Sequence, residues 1–291
     1  MENTELFGNG SFKQVDYRVK LIKKANEKIL AVTDLHLGIE LEFLRHGVST
    51  QGISQETITN LLDIIHLSDP ARVVFLGDTK HSLGITKFEK KLLETLVNEI
   101  DQKSDIELIF GQGNHDPNIE KFLPSKRFSV FSGKGIILKA DEGRIGLAHG
   151  HQIPRFQDVD EIILGHVHPS VYLQEFPSKS QYASLQSFYR FPVLLTGSIS
   201  LSDLMTTYNP KKHSIPQNGD QSRMIRIQIL PGFNKILSSS GIGSKYSFHP
   251  SKRLRKRFLD RLFALVDFEV NLIEGTYLGF LSDLNQEMNQ K

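Results

Sequence analysis

The stretch "DIELIFGQGNHD", residues 105–116, places three polar side chains directly after an apolar run. The run has the length and composition of a buried β-strand, and Asn114, His115 and Asp116 follow its end. Polar groups at the end of a buried strand are costly unless a partner binds them. This strand end therefore predicts a binding site, and the rest of the chain must show what it binds.

The same arrangement recurs along the first part of the chain, where apolar runs end in carboxylate, carboxamide or imidazole side chains. The runs at residues 28–33 and 71–78 are two further examples. In an open α/β sheet, ligands bind outside the carboxyl ends of the strands, so side chains from several strand ends are expected to converge. The converging set comprises Asp34, His36, Asp78, His81, Asn114, His115, His149, His151, His166 and His168.

Helical patterns lie between the first three apolar runs. Residues 54–67 have apolar side chains at helical spacing, with Ser54 as the expected N-cap, and residues 86–100 have a similar pattern. The resulting order of strand, helix, strand, helix and strand predicts an α/β sheet with helices on its faces.

Beyond residue 134 the strand-like segments come closer together, which favours a second, antiparallel or mixed sheet. Residues 177–189 and 209–222 are predicted surface loops, and residues 254–265 an amphipathic helix. The predicted strands of this part are residues 135–140, 143–150, 161–169, 170–176, 192–197, 224–230 and 268–281.

The composition excludes several kinds of site and of protein. The chain has 291 residues, 39% of them hydrophobic, a net charge of +2 and no cysteine. The absence of cysteine excludes disulfides, thiolate metal ligands and thiol catalysis. No apolar run is long enough for a membrane helix, and the N-terminus lacks the apolar core of a signal peptide, so we expect a cytoplasmic protein without a membrane partner. The small net charge does not argue for a nucleic-acid partner.

Carboxylate, carboxamide and imidazole ligands without thiolate suit Mn, Fe(II) or Zn, with Mg as a further alternative. Two cations about 3.5–4 Å apart need a bridging carboxylate, and such pairs activate water for in-line attack at phosphorus. The ligand types therefore fit divalent metal ions, with Mn favoured.

The ordered motifs D-x-H, G-D-x-x-H, G-N-H-D, a strand-end His and G-H-x-H resemble those of the calcineurin-like metallophosphoesterase superfamily, over roughly residues 28–169. The resemblance implies a four-layer α-β-β-α sandwich of two mixed β-sheets flanked by helices. It also implies a single domain over residues 1–291, with the C-terminal strands and helix of residues 224–285 packed on it.

The resemblance implies a role for each matched position. Asp34, His36 and His168 would hold one metal ion. Asn114, His149 and His166 would hold the other. Asp78 would bridge the two ions, between which a hydroxide would attack phosphorus. His115 would assist the leaving oxygen, with Asp116 orienting it, and His81 would steady the substrate.

Within the superfamily, "DLHLGIE", "GDTKHSLG", "LPGFN" and "EGTYLG" are similar to a group of small, mostly archaeal phosphoesterases related to the DNA-repair nuclease SbcD. Protein Ser/Thr phosphatases have Asp at the position of His81, followed by an Arg-Gly pair that is absent here. This resemblance favours phosphodiesters of nucleic acids or nucleotides, with DNA or RNA as a potential partner.

Several alternatives stay open at this point. The protein could be a phosphomonoesterase, or a metal-binding protein-interaction scaffold with little turnover. The basic residues 252–257 fit either a nucleic-acid contact or the exposed face of the predicted helix. His151 could be a metal ligand or a neighbour of the ligands.

Overall fold

A computed structural model gives the fold. It describes residues 5–7, 13–103, 105–124, 127–154, 156, 158–174, 188–208, 222–237, 241–242 and 258–284. At the start of the described chain, β1 (Glu5–Phe7) and β2 (Lys13–Val15) form an antiparallel pair.

The first large sheet has five strands among the described residues. In spatial order they are β3 (Val19–Lys24), β4 (Glu27–Val32), β5 (Arg72–Phe75), β6 (Glu107–Gly111) and β7 (Phe128–Phe131). Strand β3 is antiparallel to β4, and the other neighbours are parallel. The helices of this part are α1 (Glu40–Arg45), α2 (Ile53–Ser68) and α3 (Lys87–Lys103), with a short 3-10 helix at Ile119–Lys121.

The second large sheet contains nine of the described strands and is also mixed. The strands are β8 (Ile136–Ala140), β9 (Gly143–Ala148), β10 (Glu161–Leu164), β11 (Ser170–Gln174), β12 (Phe188–Ser200), β13 (Met224–Ile229), β14 (Gly241–Ile242), β15 (Glu269–Leu272) and β16 (Tyr277–Phe280). Strand β10 is parallel to its neighbours β9 and β13, whereas β12 pairs antiparallel with β11, β13 and β15. The helices are α4 (Leu201–Tyr208) and α5 (Phe258–Leu265).

The buried side chains show how these elements stack. Along β4, Leu30 and Val32 pack in a cluster with the apolar faces of α2 and α3. The alternate residues Ile29 and Ala31 pack instead in a cluster with residues of the second sheet, such as Leu147. A third cluster joins the other face of the second sheet to α4 and α5. Because successive side chains of a strand point to opposite faces, this alternation gives the layers helix, sheet, sheet, helix. The predicted four-layer α/β fold is confirmed.

Some local predictions were wrong. Helix α2 begins at Ile53 after Gly52, whose φ of 83° lies in the left-handed region, so Ser54 is inside the helix and is not its N-cap. The Ser54 hydroxyl instead accepts a hydrogen bond from the backbone N–H of Gly38 at 2.8 Å. The predicted loop at residues 177–189 was too long, because Phe188 begins β12.

Three predictions lie wholly or mainly outside the described residues: the loop before β12, the loop at residues 209–222 and the basic residues 252–257. The strand predicted at residues 170–176 is described only as far as Gln174. Helix α5 covers residues 258–265 of the helix predicted at residues 254–265, and the rest of that prediction lies outside the described residues. The extent of the domain over residues 1–291 stays a prediction. Within the described ranges, none of the helices has the length and apolar character needed to cross a membrane.

Candidate metal centre

The predicted site residues lie in loops that follow the carboxyl ends of parallel strands. The loops after β4, β5 and β6 extend from the first sheet, and those after β9 and β10 extend from the second. The two sets of loops meet where the backbone N–H of His166 donates to Asp34 Oδ2 at 2.9 Å. Parallel strands end at a common edge, so the convergence expected from the sequence is what the topology produces.

Asp34 lies at the centre of one half of the site and is fully buried. Its Oδ2 is also held by the hydroxyl of Thr33, which donates at 2.8 Å. Its Oδ1 faces three imidazoles, at 3.1 Å from His168 Nε2, 3.7 Å from His149 Nδ1 and 3.8 Å from His36 Nε2. One carboxylate oxygen is thus fixed by the protein, and the other is directed into the cluster.

Asp78 occupies the middle of the cluster. Its Oδ2 lies 3.4 Å from His36 Nε2 and 3.2 Å from His149 Nε2, while its Oδ1 accepts a hydrogen bond from the backbone N–H of His115 at 2.8 Å. His149 Nε2 is also 3.2 Å from Asn114 Oδ1. Asp78 therefore contacts a residue of each predicted ligand set, as a bridging carboxylate must.

The unpaired atoms of these residues fit divalent metal ions. Asp34 Oδ1, His36 Nε2, His149 Nδ1 and His168 Nε2 are buried and have no hydrogen-bond partner. Buried polar atoms are almost always paired, so orphaned atoms that converge need a ligand. Among the described residues, three groups have potential ligand atoms within 4.8 Å of one another, and two of them contain carboxylates: Asp34, His36 and His168, and Asp78, His149 and His166. Imidazole and carboxylate donors in this arrangement suit Mn, Fe(II), Zn or Mg.

The backbone of the site is strained. Seven described non-glycine residues have a positive φ, and five of them are predicted metal ligands: Asp34 at 56°, His36 at 42°, Asp78 at 51°, His166 at 75° and His168 at 45°. Each such conformation costs on the order of 1–3 kcal/mol and persists only where the surrounding structure imposes it. Their concentration in one site indicates that the fold gives up stability to direct these side chains inward.

The pKa values of the buried site residues are shifted in different directions. Burial disfavours the charged form of His149, but the carboxylates of Asp34 and Asp78 outweigh it and raise its pKa to about 9. Burial raises the pKa of Asp78, but the hydrogen bond from His149 helps to lower it to about 2. Burial lowers the pKa of His36 to about 3 and that of His166 to about 4. Ionised carboxylates and neutral imidazoles are the forms that bind metal.

Asp116 holds the backbone of two loops of the site. Its carboxylate accepts hydrogen bonds from the backbone N–H groups of Gly113 at 2.7 Å, Thr79 at 2.6 Å and Asp78 at 3.2 Å. These bonds join the loop after β5 to the loop after β6. Both oxygens of this buried carboxylate are therefore occupied by backbone groups. That Asp116 orients His115 stays a prediction.

His115 and His81 lie side by side next to this centre, with ring centroids 5.0 Å apart and an interplanar angle of 28°. The His115 ring donates through Nδ1 to the backbone carbonyl of His81. The His81 ring contacts His36 Nδ1 through its own Nδ1, at 3.0 Å, and the Glu42 carboxylate through Nε2. Both ring nitrogens of His81 thus have protein partners, and His115 bonds within the described residues through Nδ1, which leaves its Nε2 for another partner.

Three further residues support the site and were not identified from the sequence. Buried Lys80 donates to the backbone carbonyl of His115 at 2.8 Å. Buried Asn234 donates to the backbone carbonyl of Leu35 at 3.0 Å, and so holds the loop between Asp34 and His36. Glu42, on α1, contacts His81. Lys80 and Asn234 lie within two of the quoted motifs, but only the fold shows what they contact.

His151 lies beside the cluster. Its ring centroid is 5.2 Å from that of His149, and its Nδ1 is buried without a hydrogen bond. Burial lowers the pKa of His151 to about 4, so its imidazole is neutral at pH 7. The individual roles of the site residues stay predictions.

Comparison with known proteins agrees with a metal centre formed by these strand-end residues. Residues 27–197, more than half of the chain, match the family described as calcineurin-like phosphoesterase. A search of curated proteins gave no match. Among solved structures, the chain is similar to the nuclease MPE of Pseudomonas putida, with 14% identity, a TM-score of 0.48 and coverage of 89% of this chain and 100% of that one.

It is also similar to Yfce, a phosphoesterase from E. coli, with 18% identity, a TM-score of 0.34 and coverage of 67% of this chain and 85% of that one. A protein of unknown function from Aquifex aeolicus, AQ665, has 21% identity, a TM-score of 0.34 and coverage of 48% and 78%. The family match over the strands and loops that carry the metal cluster is the informative result. The chain therefore belongs to the calcineurin-like phosphoesterase family and is a metal-binding hydrolase that acts on phosphate esters.

Proposed function

We propose that the protein hydrolyses phosphodiesters of nucleic acids or nucleotides, with two divalent metal ions of which Mn is favoured. The observation that carries the proposal is the position of His115, which is bonded to Asp78 through its backbone N–H and to the carbonyl of His81 through its ring. The loop that contains His81, "DTKHSLG", has no arginine to bind the dianion of a monoester. A diester carries one negative charge fewer and has less need of such a cation.

In this proposal Asp34, His36 and His168 hold one ion, and Asn114, His149 and His166 hold the other. Asp78 contributes to both, which is consistent with the position of its Oδ2 between His36 and His149. When bound, the two ions would activate water as a nucleophile and neutralise the charge that develops at phosphorus.

His115 is the proposed general acid. Its Nδ1 carries a proton that is donated to the backbone carbonyl of His81, so Nε2 is the nitrogen that can exchange a proton with the leaving oxygen. The backbone of His115 is fixed on both sides, since its N–H donates to Asp78 and its carbonyl accepts from Lys80. This anchoring keeps the ring in place without making it a metal ligand.

The substrate class is tested by comparing bis-p-nitrophenyl phosphate with p-nitrophenyl phosphate under Mn, using kcat/KM for each. We expect the diester to be hydrolysed with the higher kcat/KM, and the Asp78→Asn variant to have little activity on either. A clear preference for the monoester would show that the protein is a phosphomonoesterase. Metal-dependent binding without turnover of any ester would favour the scaffold alternative.

The polymer substrate requires a second assay, with single- and double-stranded DNA and RNA, each in the presence of Mn, Mg, Zn or no metal. We expect cleavage of at least one nucleic acid, dependent on metal and greatest with Mn. Diester activity that is confined to small nucleotides would restrict the proposal to nucleotide phosphodiesters.

A further inference from the structure

Next to the metal centre, two imidazoles and a carboxylate form a continuous chain of hydrogen bonds. His36 Nδ1 lies 3.0 Å from His81 Nδ1, and His81 Nε2 is bonded to Glu42 Oε2. The His36 side chain is almost completely buried, that of His81 is 13% exposed and that of Glu42 is 56% exposed. The chain thus runs from the buried cluster to the protein surface.

The hydrogen bonds determine where the protons lie. His36 Nε2 is directed at the carboxylates of Asp34 and Asp78 and has no hydrogen-bond partner, so it is the nitrogen available to a metal ion. A neutral imidazole that binds metal through Nε2 carries its proton on Nδ1. His36 Nδ1 must therefore donate, and His81 Nδ1 must accept.

The same reasoning extends one residue further. A neutral His81 that accepts at Nδ1 carries its proton on Nε2, and that proton is donated to the Glu42 carboxylate. Glu42 thereby selects the His81 tautomer that can accept from His36. Hydrogen bonds of this kind orient metal-ligating imidazoles and strengthen them as ligands.

We propose that Glu42 and His81 are positioning residues that act in series on His36, fixing its orientation and tautomer for metal binding. This inference rests on the ligand role of His36 in the proposed function. It revises the role expected for His81 from the sequence, because neither ring nitrogen of His81 is available to a substrate. His81 affects the reaction through His36 by its ring, and through His115 by its backbone carbonyl.

A competing account makes the three imidazoles of His36, His81 and His115 a further metal site, since their nitrogen atoms can lie within 4.8 Å of one another. His36 would then bind metal through both nitrogens, which requires loss of its last ring proton. The position of Glu42 on His81 Nε2 gives that nitrogen an acceptor, which is what a protonated imidazole nitrogen needs. The hydrogen-bonded chain is thus the simpler account.

The test uses Glu42→Ala and Glu42→Gln in the full chain, with Glu94→Ala as the matched control. Glu94 is a helical glutamate whose side chain is 42% exposed and whose ion pair with Lys90 spans 3.9 Å. The first measurement is Mn²⁺ affinity by competition with a chelator, which uses no substrate. The second is the tautomer of His81 and His36 in the Zn²⁺-loaded protein, from long-range ¹H–¹⁵N correlations of the imidazole rings.

We expect Glu42→Ala to weaken Mn²⁺ binding by about 10- to 100-fold, the usual effect of removing a partner of a metal ligand, whereas Glu94→Ala leaves it unchanged. Glu42→Gln should restore most of the affinity, because its amide oxygen can still accept from His81 Nε2. In the wild type, His81 should be protonated at Nε2 and His36 at Nδ1, and Glu42→Ala should give His81 a mixture of tautomers.

Two results would overturn the inference while leaving the proposed function intact. One is an Mn²⁺ affinity of Glu42→Ala equal to that of the control, and the other is a wild-type His81 protonated at Nδ1. Binding of a further Zn²⁺ ion that deprotonates His36 would support the competing account and also overturn the inference. If the wild type bound no metal, the proposed function itself would be wrong.

Discussion

Asp116→Asn tests whether a single buried carboxylate holds two loops of the metal site together. The side chain is fully buried, and its two oxygens accept three backbone hydrogen bonds from Gly113, Thr79 and Asp78. Asparagine has nearly the same shape but replaces one of the two acceptor oxygens by an NH₂ group. At least one backbone N–H is then left facing another donor.

The size of the effect follows from the individual bonds. A buried N–H without an acceptor costs about 1–3 kcal/mol, and each remaining bond loses about 1 kcal/mol when its acceptor is no longer charged. Burial and the neighbouring Asp78 raise the pKa of Asp116, so removal of the charge offsets part of this loss. We expect the free energy of unfolding to fall by about 2–4 kcal/mol.

The assay is urea unfolding followed by circular dichroism at pH 8 with EDTA, which removes any contribution from bound metal. Asp63→Asn is the matched control, because Asp63 is exposed on α2, and it should change the free energy of unfolding by less than about 0.5 kcal/mol. If Asp116→Asn were as stable as this control, the three hydrogen bonds would not hold the loops as described.

Three further substitutions separate metal binding from catalysis. Asp78→Asn should lower metal content and diester turnover together, and elemental analysis that finds two metals with full turnover would refute its bridging role. Gly113→Ala should also lower metal content, because a Cβ there would lie 2.0 Å from Asp78 Oδ1, whereas Gly84→Ala, with nothing within 4 Å, is its control. His115→Gln should keep both metals while turnover falls by about 10²–10⁴-fold, and loss of a metal in this variant would make His115 a ligand.

The buried strands could be predicted from the sequence because they are continuous apolar runs that end in polar motifs. Strand β3, "VKLIKK", was not identified, since half of its residues are lysines. It forms by antiparallel pairing with β4, which is a tertiary interaction. Strand β12 is longer than predicted because it extends on both sides of the apolar run, pairing with β11 in its first part and with β13 and β15 further along.

The residues that form the site could also be predicted from the sequence, since the order of strands determines which side chains meet at the sheet edge. The contacts that those side chains make could not be predicted in this way. The sequence predicted that Asp116 orients its neighbour His115, but it did not show that three backbone N–H groups donate to the Asp116 carboxylate. Likewise, Glu42 is far from His81 in sequence, and only the packing of α1 beside the loop after β5 brings them together.

The most direct test of the central claim is anomalous X-ray diffraction from crystals of the protein grown with Mn²⁺. We predict two anomalous peaks about 3.5–4 Å apart, with the Asp78 carboxylate between them. Asp34, His36 and His168 should surround one peak, and Asn114, His149 and His166 the other. A single peak, peaks outside this cluster or no peak at saturating Mn²⁺ would contradict the two-metal account.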